Sequence, residues 1–233
     1  MPLPSESAAV AWVEQLPPGW SIVWEETGRL PDQPLLAAAA AASGRNDVQV
    51  LRNLAGKPLA ADGNGCVLPY HITNSHDGGT HLALALPSTG IAGVGVDLVH
   101  LPRLRSVRHS QDHMQRLARR VMNDREFGAF TQCVGNLDLH DVQLLFAAHF
   151  SLMEAASKAL GTGLRLGVGF GRPTSLHPHQ LSVVREHGAW GIVPGEEARR
   201  CLANIEGCQF ECFCGTSENY LASCVVISLK ANP

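Results

Sequence analysis

Phe150–Gly163 reads FSLMEAASKALGTG, and upstream Gly93–Val99 reads GVGVDLV. In the first stretch Glu154 and Lys158 lie four residues apart in a run of helical periodicity. They therefore share one helix face and offer an acid and a base to the same space. Gly161 and Gly163 supply the helix stop. The second stretch ends a dense apolar run, the mark of a buried strand, on a single carboxylate, Asp97. A strand-end Asp facing such a helix would complete a site for a hard cation and a phosphate. Two carboxylates brought together repel unless a cation sits between them, which makes Asp97 and Glu154 the candidate metal ligands. Plainer readings exist for each residue. Asp97 could cap a turn, and Glu154 with Lys158 could be an exposed ion pair worth about 0.3–0.5 kcal/mol.

Lysine is scarce outside this region. The chain has only Lys57, Lys158 and Lys230 among its 18 basic residues. Where arginine is the default, a retained lysine points to a compact charge that a planar guanidinium replaces poorly. Two of the three sit in motif-like segments, the other being Gly56–Pro58, GKP.

The flanking sequence predicts a mixed architecture. Residues 8–15 and 33–43 read as short helices, with WSIVWEE alternating like a strand between them. Val48–Leu54 reads as a helical extension ending before Gly56. HLALALP and IAGVGVDLV form two apolar runs separated by PSTG, a strand-turn-strand signal. Residues 111–131 read as one helix, and Asp138 or Asp141 caps the next, which runs to Leu160. HQLSVVRE, GAWGIVP, CQFECFC and YLASCVVISL read as four short strands, with a helix around Glu196–Asn204 among them. Helices and strands mix in both halves of the chain, and the join falls near Leu101–Val107.

Composition narrows the function. At 233 residues the chain can bury a sizeable core. Its formal charge of −3 leaves no nucleic-acid footprint. The seven cysteines form no CxxC pair, and Cys212 and Cys214 fall on one face of a strand beside apolar neighbours, as structural thiols do. The start of the chain lacks a basic signal-peptide region, and Leu35–Ser43 is too short to span a bilayer. The expected setting is the reducing cytoplasm, with no membrane and no nucleic acid as partner.

Taken in order, GKP, ITNSH (Ile72–His76), GVGVD, LARRVMNDREF (Leu117–Phe127) and FSLMEAASKALGTG resemble the signature segments of the 4′-phosphopantetheinyl transferases. The likeness is to the larger, surfactin-synthetase-type members and spans roughly residues 45–165. It implies an α+β fold of two similar halves forming a pseudo-dimer, here 1–102 and 103–233, with the cofactor site in the cleft between them. Such a chain would act as a monomer. The implied reaction moves the 4′-phosphopantetheine arm of coenzyme A onto a serine of an apo acyl or peptidyl carrier protein, with Mg2+. The carrier would belong to fatty-acid, polyketide or non-ribosomal peptide synthesis. By resemblance Asp97, Glu154 and Lys158 would be catalytic, and Asp97 and Glu154 would hold the metal. Lys57, Pro58, Ser75, His76, Arg45 and Lys158 would bind coenzyme A, Lys57 and Pro58 at its 3′-phosphate or adenine end with Arg45 or Arg52 nearby. Glu126 would orient a water or a basic side chain, or be a solvated helix residue. Val99 stands where some members carry a second carboxylate.

One position departs from the pattern. Met153 stands where the motif has a lysine. Either another cation serves, such as Arg165 or an arginine of the 116–125 helix, or the chain is slow, or it is a non-catalytic coenzyme A- or carrier-binding homologue. A third reading is a soluble α+β domain that binds a phosphorylated nucleotide. The seven arginines between Arg103 and Arg125 are either a solvated face or a docking surface for an acidic carrier protein.

Overall fold

The computed structural model describes residues 19–26, 32–54, 56–107, 110–164, 176–186, 188–201 and 207–229. The helix expected at 8–15, Arg165 and Lys230 lie outside the described residues.

The protein is α+β. Its N-terminal part is a five-stranded antiparallel sheet in the order β1-β5-β4-β3-β2. The strands are β1 (Ser21–Glu26), β2 (Gln49–Arg52), β3 (Pro58–Ala61), β4 (Val67–Asp77) and β5 (Thr80–Pro87). Helix α1 (Gln33–Ser43) covers one face through Leu35, Ala38 and Ala39, packed on Ala60, Ile72, Ala83 and Ala85. Alternate residues of β5, Leu82, Leu84 and Leu86, cover the other face. Buried on both sides, β5 has an unbroken apolar sequence.

Those leucines pack on a second sheet, β6-β10-β9, formed by β6 (Ile91–His100), β9 (Cys208–Thr216) and β10 (Tyr220–Leu229). Strands β5 and β6 both form as the sequence predicts. The turn between them carries the chain from one sheet to the other instead of closing a hairpin. By hydrogen bonding β6 belongs with β10, so the segments 1–102 and 103–233 meet along this strand.

The far face of the second sheet is covered by α5 (Leu139–Leu160), the longest helix. Leu152, Ala155, Ala156 and Ala159 pack there with Val225 and Ile227. Around α5 lie α2 (Leu101–Val107), α3 (Gln111–Val121), α4 (Asp124–Val134), the hairpin of β7 (Leu181–Glu186) and β8 (Ala189–Pro194), and α6 (Glu196–Cys201).

Two expected elements are corrected. Val48–Leu54 is not helical. Gly44 ends α1 in the left-handed region at φ 67°, and residues 49–52 pair with β3 as a strand. The helix expected over 111–131 is two, α3 and α4. Asn123 leaves helical geometry and caps α4, its side chain accepting from the Glu126 amide while Glu126 accepts from the Asn123 amide. That reciprocal pair outweighs continuing the helix. Among the described residues no helix is long and apolar enough to cross a membrane.

Candidate active site

The site begins with two glycines. On β6, Val94, Val96 and Leu98 face β5, so Gly93, Gly95 and Asp97 share the face toward α5. A Cβ on Gly93 would lie 2.2 Å from the Ala159 carbonyl oxygen, and one on Gly95 2.0 Å from that of Ala155. The helix therefore rests directly on the strand backbone. Helical side chains lean toward the helix N-terminus, so Lys158, beside Gly95, reaches back to Asp97.

Its ammonium donates to Asp97 Oδ1 at 2.8 Å, to the Val96 carbonyl at 2.9 Å and to Ser75 Oγ at 3.1 Å. Three donors thus meet three acceptors. Ser75 Oγ in turn donates to Asp97 Oδ1 at 2.9 Å. Asp97 and Ser75 are each only 7% exposed. The acid–base couple is therefore Lys158 with Asp97, not Lys158 with its helical neighbour Glu154.

Along the buried turns of α5 between Ser151 and Ala159, only Glu154 and Lys158 are not fully buried. Glu154 lines a cleft of about 560 Å3 together with Asp97, Ser75, His76, Arg103 and Arg120. Phe146, Phe150, Leu117 and Val121 form its apolar wall. Burial pushes the Glu154 carboxyl up to about 7, the nearby Asp97 charge adds to this, and Lys158 opposes it. Among the described residues no basic side chain forms an ion pair with Glu154.

A second cleft of about 310 Å3 lies on the other side of Lys158. Arg52, Lys57 and Lys158 line it with Pro58, Asn74, Gly161 and Gly163. Lys57 Nζ donates to the Ala159 carbonyl at 3.4 Å, at the negative end of α5. Burial lowers its ammonium below the usual lysine range. Lys158 lines this cleft while its ammonium holds Asp97, which lines the first. The two clefts meet at that residue.

Most of the residues singled out from sequence gather here. Asp97, Glu154, Ser75 and His76 line the first cleft, Lys57 and Pro58 the second. His76 is exposed at the rim and stacks on His81, with ring centroids 5.4 Å apart. Arg45 lines neither cleft. Its exposed guanidinium is bound by Asp47 at 2.7 and 2.8 Å, and Arg52 lines the second cleft instead.

Glu126 is buried rather than solvated. It accepts from the Val183 amide at 2.5 Å and meets His149 Nε2 at 3.0 Å, tying α4 to β7 and α5. Met153 is 0% exposed within the main core and points away from both clefts. Val99 is buried against Leu101, Ala147, Ala148 and Leu221.

The sequence reading missed how β4 serves the site. His71, Thr73, Ser75 and Asp77 recur at strand period. Each hydrogen-bonds β6, at the Ile91 carbonyl, the Val96 amide, Asp97 and the His100 amide respectively. The signal was there as alternate polar residues in a strand packed on another sheet. Asp77 also pairs with Arg103 at 2.9 Å, at the edge of the first cleft.

Asp97 and Glu154 are hard oxygen donors on one open cleft, and their mutual repulsion fits them to hold a divalent cation. Among the described residues no group of three or more His, Cys, Asp or Glu gathers as a metal cluster. The remaining ligands of such an ion would be water and substrate oxygens, the usual habit of magnesium.

Part of this chain is similar to known proteins. Residues 93–198 match the family model of the 4′-phosphopantetheinyl transferase superfamily. The matched segment carries Asp97, Glu154 and Lys158. The chain is 42% identical over 82 residues to a holo-[acyl-carrier-protein] synthase of Klebsiella pneumoniae, covering 34% of this chain and 57% of that protein. It is 38% identical over 81 residues to the holo-[acyl-carrier-protein] synthase of Pectobacterium carotovorum, with the same coverage. The chain thus spans about 57% of the length of these curated relatives. Among solved structures, the holo-[acyl-carrier-protein] synthase of Neisseria meningitidis is similar at 21% identity and TM-score 0.45, covering 59% of this chain and 98% of that one.

Proposed function

We propose that this protein transfers the 4′-phosphopantetheine arm of coenzyme A to a serine hydroxyl of an apo carrier protein. The observation that carries the reading is the corner where the two clefts meet, with Asp97 and Glu154 on one side and the lysines on the other. In-line transfer of a phosphoryl group asks the protein for positioning and charge stabilisation more than for covalent chemistry.

In this reading the second cleft takes the nucleotide end of coenzyme A. Lys57 and Arg52 provide the charge for its phosphates, and Pro58 packs the wall. Lys158 sits against the pyrophosphate at the junction. The first cleft admits the arm and the incoming serine, with Phe146 and Phe150 excluding water. His76 sits at its rim as a phosphate contact. A magnesium ion held by Asp97 and Glu154 would neutralise charge on the pyrophosphate. Arg45 is left out of coenzyme A binding because it lines neither cleft, whereas Arg52, itself paired with Asp32, lines the second.

The partner is proposed to be an acyl or peptidyl carrier protein, and a cytoplasmic monomer of two halves, 1–102 and 103–233, is part of the same proposal. The exposed arginines of α3, Arg116, Arg119 and Arg120, suit an acidic partner, because Arg120 also reaches the first cleft. The burial of Met153 weakens the non-catalytic alternative. A side chain in the core is not a charge missing from the cleft.

The test is incubation with coenzyme A, magnesium and an apo carrier protein, followed by intact mass of the carrier. The expected result is a gain of one phosphopantetheine. Coenzyme A binding with no gain would favour the non-catalytic homologue.

A further inference from the structure

We infer that Ser75 is a positioning residue for Asp97 and Lys158, and not a contact for the coenzyme A phosphates. This rests on the reading of Asp97 and Glu154 as a divalent-cation pair.

The hydroxyl of Ser75 has both its roles filled inside the protein. It donates to Asp97 Oδ1 at 2.9 Å and accepts from Lys158 Nζ at 3.1 Å. A hydroxyl has a single proton, so to donate to a phosphate Ser75 would have to release Asp97. At 7% exposure it also offers little surface to a ligand. Its neighbours on β4 behave alike. Thr73 and Asp77 spend their side chains on β6 amides, so Ser75 is one rung of a ladder that fixes β6.

The consequence concerns which carboxylate oxygen is open. Asp97 Oδ1 accepts from both Ser75 and Lys158. Oδ2 has no hydrogen-bond partner among the described residues. Ser75 keeps the ammonium and the carboxylate in fixed register, with the lysine on Oδ1. Without Ser75 the ammonium can swing across both oxygens and compete with a cation for Oδ2. Groups that orient a metal ligand without touching the metal typically change affinity by about 10–100-fold when removed.

The experiment separates the two roles by titrating two probes independently. Coenzyme A is titrated by calorimetry in EDTA, and Mn2+ is titrated by electron paramagnetic resonance without coenzyme A. For Ser75→Ala the expected result is a coenzyme A affinity within about twofold of the parent and a Mn2+ affinity weakened about tenfold or more. Ser75→Thr, which keeps the hydroxyl, should restore Mn2+ binding. Retained coenzyme A binding shows that the variant is folded. A tenfold loss of coenzyme A affinity in EDTA with Mn2+ binding unchanged would overturn the inference and make Ser75 a phosphate contact. No change in either titration would overturn it too. If the parent protein itself binds neither coenzyme A nor Mn2+, the functional reading fails, which is a different outcome from any shown by the variant.

Discussion

Glu154 is held near pH 7 by its surroundings, above its ordinary 4.5, mainly through burial. Its folded value exceeds its unfolded one, so the folded state binds the proton more tightly. The stability this gives is fully present below about pH 4.5 and is lost as pH rises through about 7. In metal-free protein the melting temperature should therefore fall between about pH 5 and 8, and Glu154→Gln should flatten that slope. Metal binding needs the carboxylate, so Mg2+ affinity should rise over the upper part of the same window. A melting profile identical in parent and variant would show that Glu154 ionises freely.

Met153 sits one residue from Glu154 yet about 100° around the helix axis. That rotation turns it from the cleft into the core, where it is 0% exposed. Met153→Lys should bury an unpaired ammonium and destabilise the fold by roughly 3–5 kcal/mol. Thermal unfolding should show a clearly lower midpoint, and single-turnover transfer should show no gain in rate. A faster transfer at unchanged stability would mean that the side chain reaches the cleft after all.

Among the elements, the pairing of β6 with α5 sets the geometry. The strand and helix were legible in the sequence because each carries a strong period and a clear stop. Their contact was less so. Nothing in GVGVD alone says that both glycines are there for the approach of a helix rather than for a turn. Gly95→Ala would set a Cβ 2.0 Å from the Ala155 carbonyl oxygen and 2.6 Å from the Ala159 nitrogen, both backbone atoms that cannot rotate away. The helix must move, at a cost at or above the usual overpacking range of about 1–3 kcal/mol. The shift separates Lys158 from Asp97, so transfer should fall together with the melting temperature. Gly128, on α4, is the contrast. A Cβ there meets nothing within 4 Å, and Gly128→Ala should be neutral or stabilise by up to about 1 kcal/mol. Equal losses at both sites would remove the close-packing argument.

The elements that were misread failed for local reasons. Residues 49–52 lack a strong alternation and become a strand because β3 offers a partner. The break between α3 and α4 rests on a single capping asparagine inside an otherwise helical run. The polar ladder of β4 was hidden because its meaning depends on β6, a strand of another sheet.

At the scale of the whole molecule the site is a meeting of distant segments. Lys57 comes from the N-terminal sheet and contacts the end of α5, and Ser75 reaches Asp97 and Lys158 across the two sheets. The motif residues could be picked out from the sequence because each belongs to a short pattern. Arg45 could not be separated from Arg52 in that way, since each pairs with an aspartate and only the fold shows that Arg52 lines a cleft. Lys57→Ala should weaken coenzyme A binding by about tenfold or more, the scale of one charged hydrogen bond. Arg45→Ala should change it by less than about twofold. Calorimetry on the two variants checks both, and equal effects would dissolve the assignment of the second cleft to the nucleotide end.

The most direct test of the account is single-turnover transfer of phosphopantetheine to an apo carrier protein, followed by intact mass and run on the parent, Glu154→Gln and Arg45→Ala. If the corner of Asp97, Glu154 and Lys158 performs the chemistry, Glu154→Gln should lose about 10²–10³ in rate, as when one electrostatic stabiliser is removed. Its coenzyme A affinity in EDTA should hold, and Arg45→Ala should transfer at the parent rate. Transfer by Glu154→Gln at the parent rate, or no transfer by the parent protein, would contradict the account.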